Sequence, residues 1–162
     1  MINSTLCYIT RPGPGGPEVL LLHRVKKKND VNHDKWIGIG GKFEEGESPE
    51  DCLLREVREE TGLTLTEWRY RGIVTFITSD LAETEFMHLF TADGFAGEMR
   101  RDCDEGDLQW VEKERMRSFP TWEGDRIFLD LLDQGAPFFS LKLVYEGDRL
   151  RQAALNGRTI RL

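Results

Sequence analysis

The sequence predicts a mixed α/β fold, on the order in which apolar runs and chain breakers follow one another: short strands, one sharply bounded helix, more strands, a second helix, and a closing hairpin. Strict alternation of strand and helix, which would build an all-parallel sheet, is absent. At 162 residues the chain suits a single domain, residues 1–162, with a core large enough to need no staples.

Residues 6–9 and 18–23 read as strands on either side of Arg11-Pro12-Gly13-Pro14-Gly15-Gly16-Pro17, which is turn chemistry. Leu20, Leu21 and Leu22 predict a second strand buried on both faces. A polar stretch with Lys26, Lys27 and Lys28 reads as a solvated loop, and Trp36-Ile37-Gly38-Ile39-Gly40-Gly41-Lys42 then supplies glycines that let the backbone approach a ligand or turn tightly. The first helix has its limits written in: Ser48 as N-cap, Pro49 in the first turn, Asp51 three residues after the cap, and Gly62 as a left-handed C-cap. It should span residues 49–61.

Residues 68–77 and 86–92 read as strands joined by a polar loop, and the acid-rich loop 101–107 leads into a strand at 108–111. Pro120-Thr121-Trp122-Glu123-Gly124-Asp125 opens a second helix in which Ile127, Phe128, Leu131 and Leu132 recur at helical spacing, with Gly135 and Pro137 as its stop. Residues 138–145 and 149–154, around Glu146-Gly147-Asp148, predict a hairpin.

Acidic residues outnumber basic ones by 29 to 22, a net charge of -7, which argues against a surface for nucleic-acid polymers. Cys7, Cys52 and Cys103 are odd in number and far apart, so neither a disulfide framework nor a structural zinc site is expected, and a reducing cytoplasm fits. The N-terminus lacks an export signal and no apolar run approaches the ~20 residues of a membrane span. No heptads specify an oligomer, and a monomer is the expectation.

On the first helix, Leu53, Leu54 and Val57 share one arc, while Glu56, Glu59 and Glu60 crowd the next and are expected to face outward. Glu56 and Glu60 repel at i,i+4, and Glu59 and Glu60 oppose the macrodipole at a cost of ~0.3–1 kcal/mol each. A hard divalent cation, Mg²⁺ or Mn²⁺, makes such a cluster reasonable, with Arg55 and Arg58 steadying the acids from the flank.

Gly41, five residues, Glu47, seven residues, then Arg55-Glu56-Val57-Arg58-Glu59-Glu60-Thr61-Gly62-Leu63 matches the Nudix box, so the chain resembles the Nudix hydrolases. That resemblance implies an α/β/α sandwich with a mixed sheet, and hydrolysis of a phosphoanhydride in a nucleoside diphosphate linked to another group. It also implies Glu56, Glu59 and Glu60 as Mg²⁺ ligands with the carbonyl of Gly41, Glu56 or Glu59 as a possible base, and Glu47 and Arg55 holding loop to helix. Glu105, by its distance before Trp110, matches a loop glutamate that ligates a second metal or takes the proton from water.

KWIGIGGKFEEGE, PTWEGD and the tail are similar to the MutT-like 8-oxo-dGTP diphosphatases, most of all the bacterial ones. In that branch an aromatic and an acid at the start of the second helix hold the base, and Trp122 and Asp125 match them here. Arg24, Gly40 and Lys42 are the expected substrate contacts on the phosphate side. Animal members carry an asparagine where Ile37 stands, and paired aspartates where this chain has Gly124 and Asp125, so base discrimination here is built differently. The implied reaction converts 8-oxo-dGTP to the monophosphate and pyrophosphate, cleansing the nucleotide pool and sparing DNA repair. Two alternatives stand beside it: a hydrolase of ADP-ribose or dinucleoside polyphosphates, and a non-catalytic nucleotide-binding regulator.

Overall fold

The computed structural model describes residues 1–100 and 102–162, with Asp102 described by its backbone alone. In chain order the elements are β1 (Ile2–Arg11), β2 (Glu18–His23), β3 (Trp36–Ile37), α1 (Pro49–Thr61), β4 (Thr64–Thr78), β5 (Glu85–Ala96), β6 (Asp102–Cys103) and β7 (Gly106–Glu112). A 3₁₀ turn (Lys113–Ser118), α2 (Asp125–Asp133), β8 (Phe139–Glu146), β9 (Arg149–Leu155) and β10 (Arg158–Ile160) complete them.

All the described strands join one sheet in the order β10-β9-β8-β4-β5-β1-β2-β7-β6, with β3 on β2. The β1/β5 and β4/β8 pairs are parallel and the others antiparallel, so the sheet is mixed, as the element order predicts. Alternate residues of the central strands feed two cores. Leu6, Tyr8, Val19 and Leu21 enter the core that contains Phe128 and Leu129 of α2, whereas Cys7, Ile9, Leu20 and Leu22 enter the one that contains Leu53 and Val57 of α1. Helices thus cover both faces and make the sandwich. The triple leucine of β2 is buried on both faces as expected, each side chain contributing about 1.5–3 kcal/mol.

The limits of α1 are those read from the sequence. Ser48 is extended (φ -77°, ψ 166°), its hydroxyl accepts the Asp51 N–H at 3.1 Å, and the Asp51 carboxylate accepts the Ser48 N–H, also at 3.1 Å. Gly62 ends the helix at φ 81°. Strands run longer than predicted at β1, β4 and β5, because pairing with a neighbour extends the ladder past the apolar run that reveals it. The 3₁₀ turn and β10 were not predicted, and α2 starts only at Asp125, with Pro120 to Gly124 forming the turn before it. Within the predicted loop 101–107, Arg101 lies outside the described residues, while β6 and β7 close the rest into a tight antiparallel pair.

Candidate active site

Arg55 is the hub of the Gly41–Leu63 segment. Its guanidinium grips Glu47 with two bonds (2.7 and 2.8 Å), reaches Glu56 at 2.7 Å and Glu59 at 3.1 Å, and donates to the Lys42 carbonyl at 3.0 Å. The bidentate pair ties the loop before α1 to the helix, as the resemblance implies for Glu47 and Arg55. Hydrogen bonds from Arg55 hold the Glu47 carboxyl down at about 2. Arg58, expected beside it, is exposed and has no ion pair among the described residues.

The three glutamates do not all face outward. Seven residues separate Leu53 from Glu60, so at ~100° per residue Glu60 returns to within ~20° of the apolar stripe, whereas Glu59 sits ~120° away. Accordingly Glu60 is buried, 8% exposed, Glu56 is half-buried, and the Glu59 side chain is 58% exposed with its carboxylate on Arg55. The Glu59 carboxylate meets the same Arg55 nitrogen as that of Glu56, on the exposed side of the pair, while Glu60 lies on the buried side. Glu105, on the turn between β6 and β7, joins the buried side, and its charge raises the pKa of Glu60. Burial first, then Glu105 and Glu56, push the Glu60 carboxyl up to about 9, and Glu56 is raised as well, chiefly by burial.

Glu60 Oε2 is a buried oxygen without a hydrogen-bond partner among the described residues. Such an atom is costly unless something positive meets it. Among the described residues no three His, Cys, Asp or Glu side chains stand close enough to form a ready-made metal cage. Arginines hold two of the carboxylates: Arg55 on Glu56, and Arg24 on Glu105 at 2.7 Å. The donor chemistry suits a hard cation, since Glu56, Glu60 and Glu105 offer carboxylate oxygens and Oε2 of Glu60 is unpartnered.

Several expected contacts take a different form. Arg24 is not a free phosphate ligand, because its guanidinium is spent on Asp30 (2.6 Å) and Glu105 (2.7 Å), so it orients an acid. Gly40 and Gly41 do not have positive φ, and the close approach they permit is to the protein itself. A Cβ at Gly40 would lie 1.8 Å from the Thr5 carbonyl oxygen, and one at Gly41 would lie 2.4 Å from the Glu56 carboxyl carbon. The Gly41 carbonyl accepts the Thr5 N–H at 2.9 Å and a weak Cys52 thiol bond at 3.5 Å, so a metal ligand role for it would displace the thiol contact. Lys42 is exposed at the cleft with no carboxylate partner among the described residues.

The cleft beside these residues holds about 650 Å³, of the size that takes small ligands. Arg24, Gly40, Gly41, Lys42, Glu56 and Glu105 line it together with Phe76, Leu81, Met87, Trp122 and Asp125. A second cavity of about 660 Å³ lies by the C-terminal end of α2, near Trp68, Arg69 and Arg71, and contains none of the predicted site residues.

Trp122 is 4% exposed and packs edge-on against Phe76 and Tyr145, while the ammonium of Lys35 covers a face of its ring at 4.4 Å. It is thus built into the core and also forms a wall of the cleft. Asp125, buried at the start of α2, accepts the Thr121 hydroxyl at 2.7 Å. Burial, partly offset by Thr121 and by Lys35, lifts its carboxyl to about 7. Asn32, which sequence reasoning passed over, accepts Trp122 Nε1–H on its side-chain oxygen at 2.7 Å and also borders the cleft. A lone asparagine in a polar loop gives no sequence signal.

Sandwich, capped acidic helix and cleft together define a Nudix-type protein, and the comparisons agree. The NUDIX domain model matches residues 2–132, and the chain belongs to the Nudix family of hydrolases. It is 36% identical over 103 residues to an uncharacterized Nudix hydrolase, YvcI, of Bacillus subtilis, across 62% of this chain and 65%, just under two thirds, of that protein. It is 34% identical to an oxidized purine nucleoside triphosphate hydrolase of Danio rerio over 136 residues, 83% of this chain and 81% of the other. Among solved structures, the MutT protein of Bacillus halodurans superimposes with a TM-score of 0.83 at 26% identity, covering 96% of this chain and 98% of that one. No described helix is long and apolar enough to cross a membrane.

Proposed function

We propose that the protein is a Mg²⁺-dependent pyrophosphohydrolase of purine nucleoside triphosphates, 8-oxo-dGTP foremost, releasing the monophosphate and pyrophosphate. The observation that carries this reading is the orphaned buried oxygen of Glu60 beside Glu105 and Glu56, next to a cleft whose lining also includes apolar side chains and a buried acid. The names of the D. rerio and B. halodurans relatives support it.

Glu56, Glu60 and Glu105 would hold the metal, with Mn²⁺ an acceptable substitute. When bound, the ion neutralises phosphate oxygens and makes a bound water more acidic. Glu56 and Glu105 border the cleft, and either would accept the proton as water oxygen attacks phosphorus and the bridging P–O bond breaks. Arg55 and Arg24 fix the directions of those two carboxylates. Lys42 supplies an uncommitted cation for phosphate oxygens, while Phe76, Met87 and Trp122 give the base a dry wall with Asp125 at its edge. Such an enzyme would act on a free nucleotide pool, consistent with a cytoplasmic monomer.

The test is a panel of 8-oxo-dGTP, dGTP, ADP-ribose and diadenosine polyphosphates with Mg²⁺, compared by kcat/KM. The first should lead. A clear lead for ADP-ribose would sink this reading in favour of a different Nudix hydrolase, and no turnover at all would favour a nucleotide-binding regulator.

A further inference from the structure

Asn32 stands on the loop between β2 and β3, bordering the cleft together with Trp122 and Asp125. Its Oδ1 accepts Trp122 Nε1–H at 2.7 Å. An indole nitrogen can only donate, so the amide oxygen must face it and the polarity of the carboxamide is decided. Turning the amide over would set NH₂ against N–H, disfavoured by roughly ten- to a hundredfold for a sheltered, unmade bond. The loop beneath is fastened too. The Asn32 N–H donates to Asp30 Oδ1 at 3.1 Å, and Asp30 is gripped by Arg24 at 2.6 Å. Asn32 Nδ2 has no acceptor among the described residues and Asn32 borders the cleft, so its amide N–H groups are available to a ligand there.

Asp125 complements them. Thr121 occupies its Oδ2, and Oδ1 is left to meet a donor on the ligand. A donor and an acceptor on the wall of one cleft can together meet a purine edge bearing a 6-oxo group and an N1–H. A 6-amino purine would set its NH₂ against the NH₂ of Asn32 and its bare N1 against the carboxylate.

We infer that Asn32, locked by the Trp122 indole, is a specificity residue that selects 6-oxo over 6-amino purine nucleotides by donating from Nδ2 to O6. This rests on the nucleotide reading of the cleft, and it assigns the discrimination to a residue outside the Nudix box.

The experiment measures kcat and KM for dGTP and dATP on the wild type, Asn32→Leu and Asn32→Asp, each first shown by its melting curve to be folded. The wild type should favour dGTP. Asn32→Leu should cut the dGTP-to-dATP ratio of kcat/KM by roughly ten- to a hundredfold, through KM with kcat little changed. Asn32→Asp, nearly the same shape with an acceptor facing the cleft, should lower the ratio further, toward dATP. Replacing dGTP by 7-deaza-dGTP should leave the effect of Asn32→Leu in place, and its disappearance would move the contact to N7 and overturn the O6 assignment. If the wild type cleaves purine triphosphates and both variants keep its ratio, the inference falls while the function stands. If the wild type cleaves ADP-ribose and no purine triphosphate, the function falls and takes the inference with it.

Discussion

Replacing Glu60 by glutamine should stabilise the metal-free protein while disabling it. Glu60 is 8% exposed with one carboxyl oxygen unpartnered, and its pKa stands at about 9 against 4.5 when unperturbed. Between those values the unfolded chain has released the proton while the folded chain still binds it, so stability falls steadily as pH rises from about 4.5 to 9. At about pH 8 the gap of roughly 3.5 pH units, at ~1.36 kcal/mol each, sets a ceiling near 5 kcal/mol. Entry of water and local relaxation reduce this to about 2–3 kcal/mol, or ~5–10 °C in Tm for a chain this size. Glutamine carries no charge at any pH. Glu60→Gln should therefore melt higher than the wild type in EDTA at about pH 8, and the difference should close toward about pH 4.5. Mg²⁺ should raise the melting temperature of the wild type well above that of the variant, and turnover should fall by about 10²-fold or more. Coincident melts at about pH 8 in EDTA would show that Glu60 bears no strain, and equal Mg²⁺ stabilisation of both proteins would remove it from the ligand set.

Other perturbations test the scaffold. Asp125, held near 7 against an ordinary 3.8, destabilises the fold as pH rises from about 4 to 7; Asp125→Asn should remove that slope and gain ~2–4 kcal/mol at neutral pH, measured by denaturant melts across pH. Gly40→Ala places a Cβ 1.8 Å from the Thr5 carbonyl oxygen, which is backbone and cannot swing aside, so it should cost ~3 kcal/mol or more in urea unfolding. Arg24→Met strands the Asp30 carboxylate and frees Glu105, costing ~3 kcal/mol, and a second change, Asp30→Asn, should restore much of the stability but little of the turnover.

What could be read from the sequence divides along a physical line. Signals carried by neighbours in the chain were legible: the Ser48–Asp51 capping box, the Gly62 stop and the Leu20–Leu22 strand all act within a few residues, and all stand as predicted. The burial of Glu60 was also readable, because seven residues bring it back over Leu53 on a regular helix, although its charge suggested otherwise. Contacts between distant segments were not legible. Arg24 finds Glu105, 81 residues away, only because β2 pairs with β7, and Trp122 finds Asn32, 90 residues away, only because the turn before α2 packs beside the β2–β3 loop. Spacing along the chain says nothing about either partner.

Those two long-range contacts explain why the cleft can hold opposed chemistries side by side. Near α1 one buried carboxyl oxygen, Oε2 of Glu60, lacks a partner among the described residues, an environment that suits a cation; Arg24 and Arg55 restrain Glu105 and Glu56 without reaching it. Near α2 the polar groups answer one another, Trp122 to Asn32 and Thr121 to Asp125, which leaves one amide and one carboxyl oxygen to face the ligand. Asp30 connects the two regions, since Arg24, which holds Glu105, also holds the loop that carries Asn32. Loosening Arg24 should therefore blur base selection as well as slow the chemistry. The Arg24→Met/Asp30→Asn protein should show a smaller dGTP-to-dATP ratio than the wild type even where its melting temperature is restored, and an unchanged ratio would show that the two regions are independent.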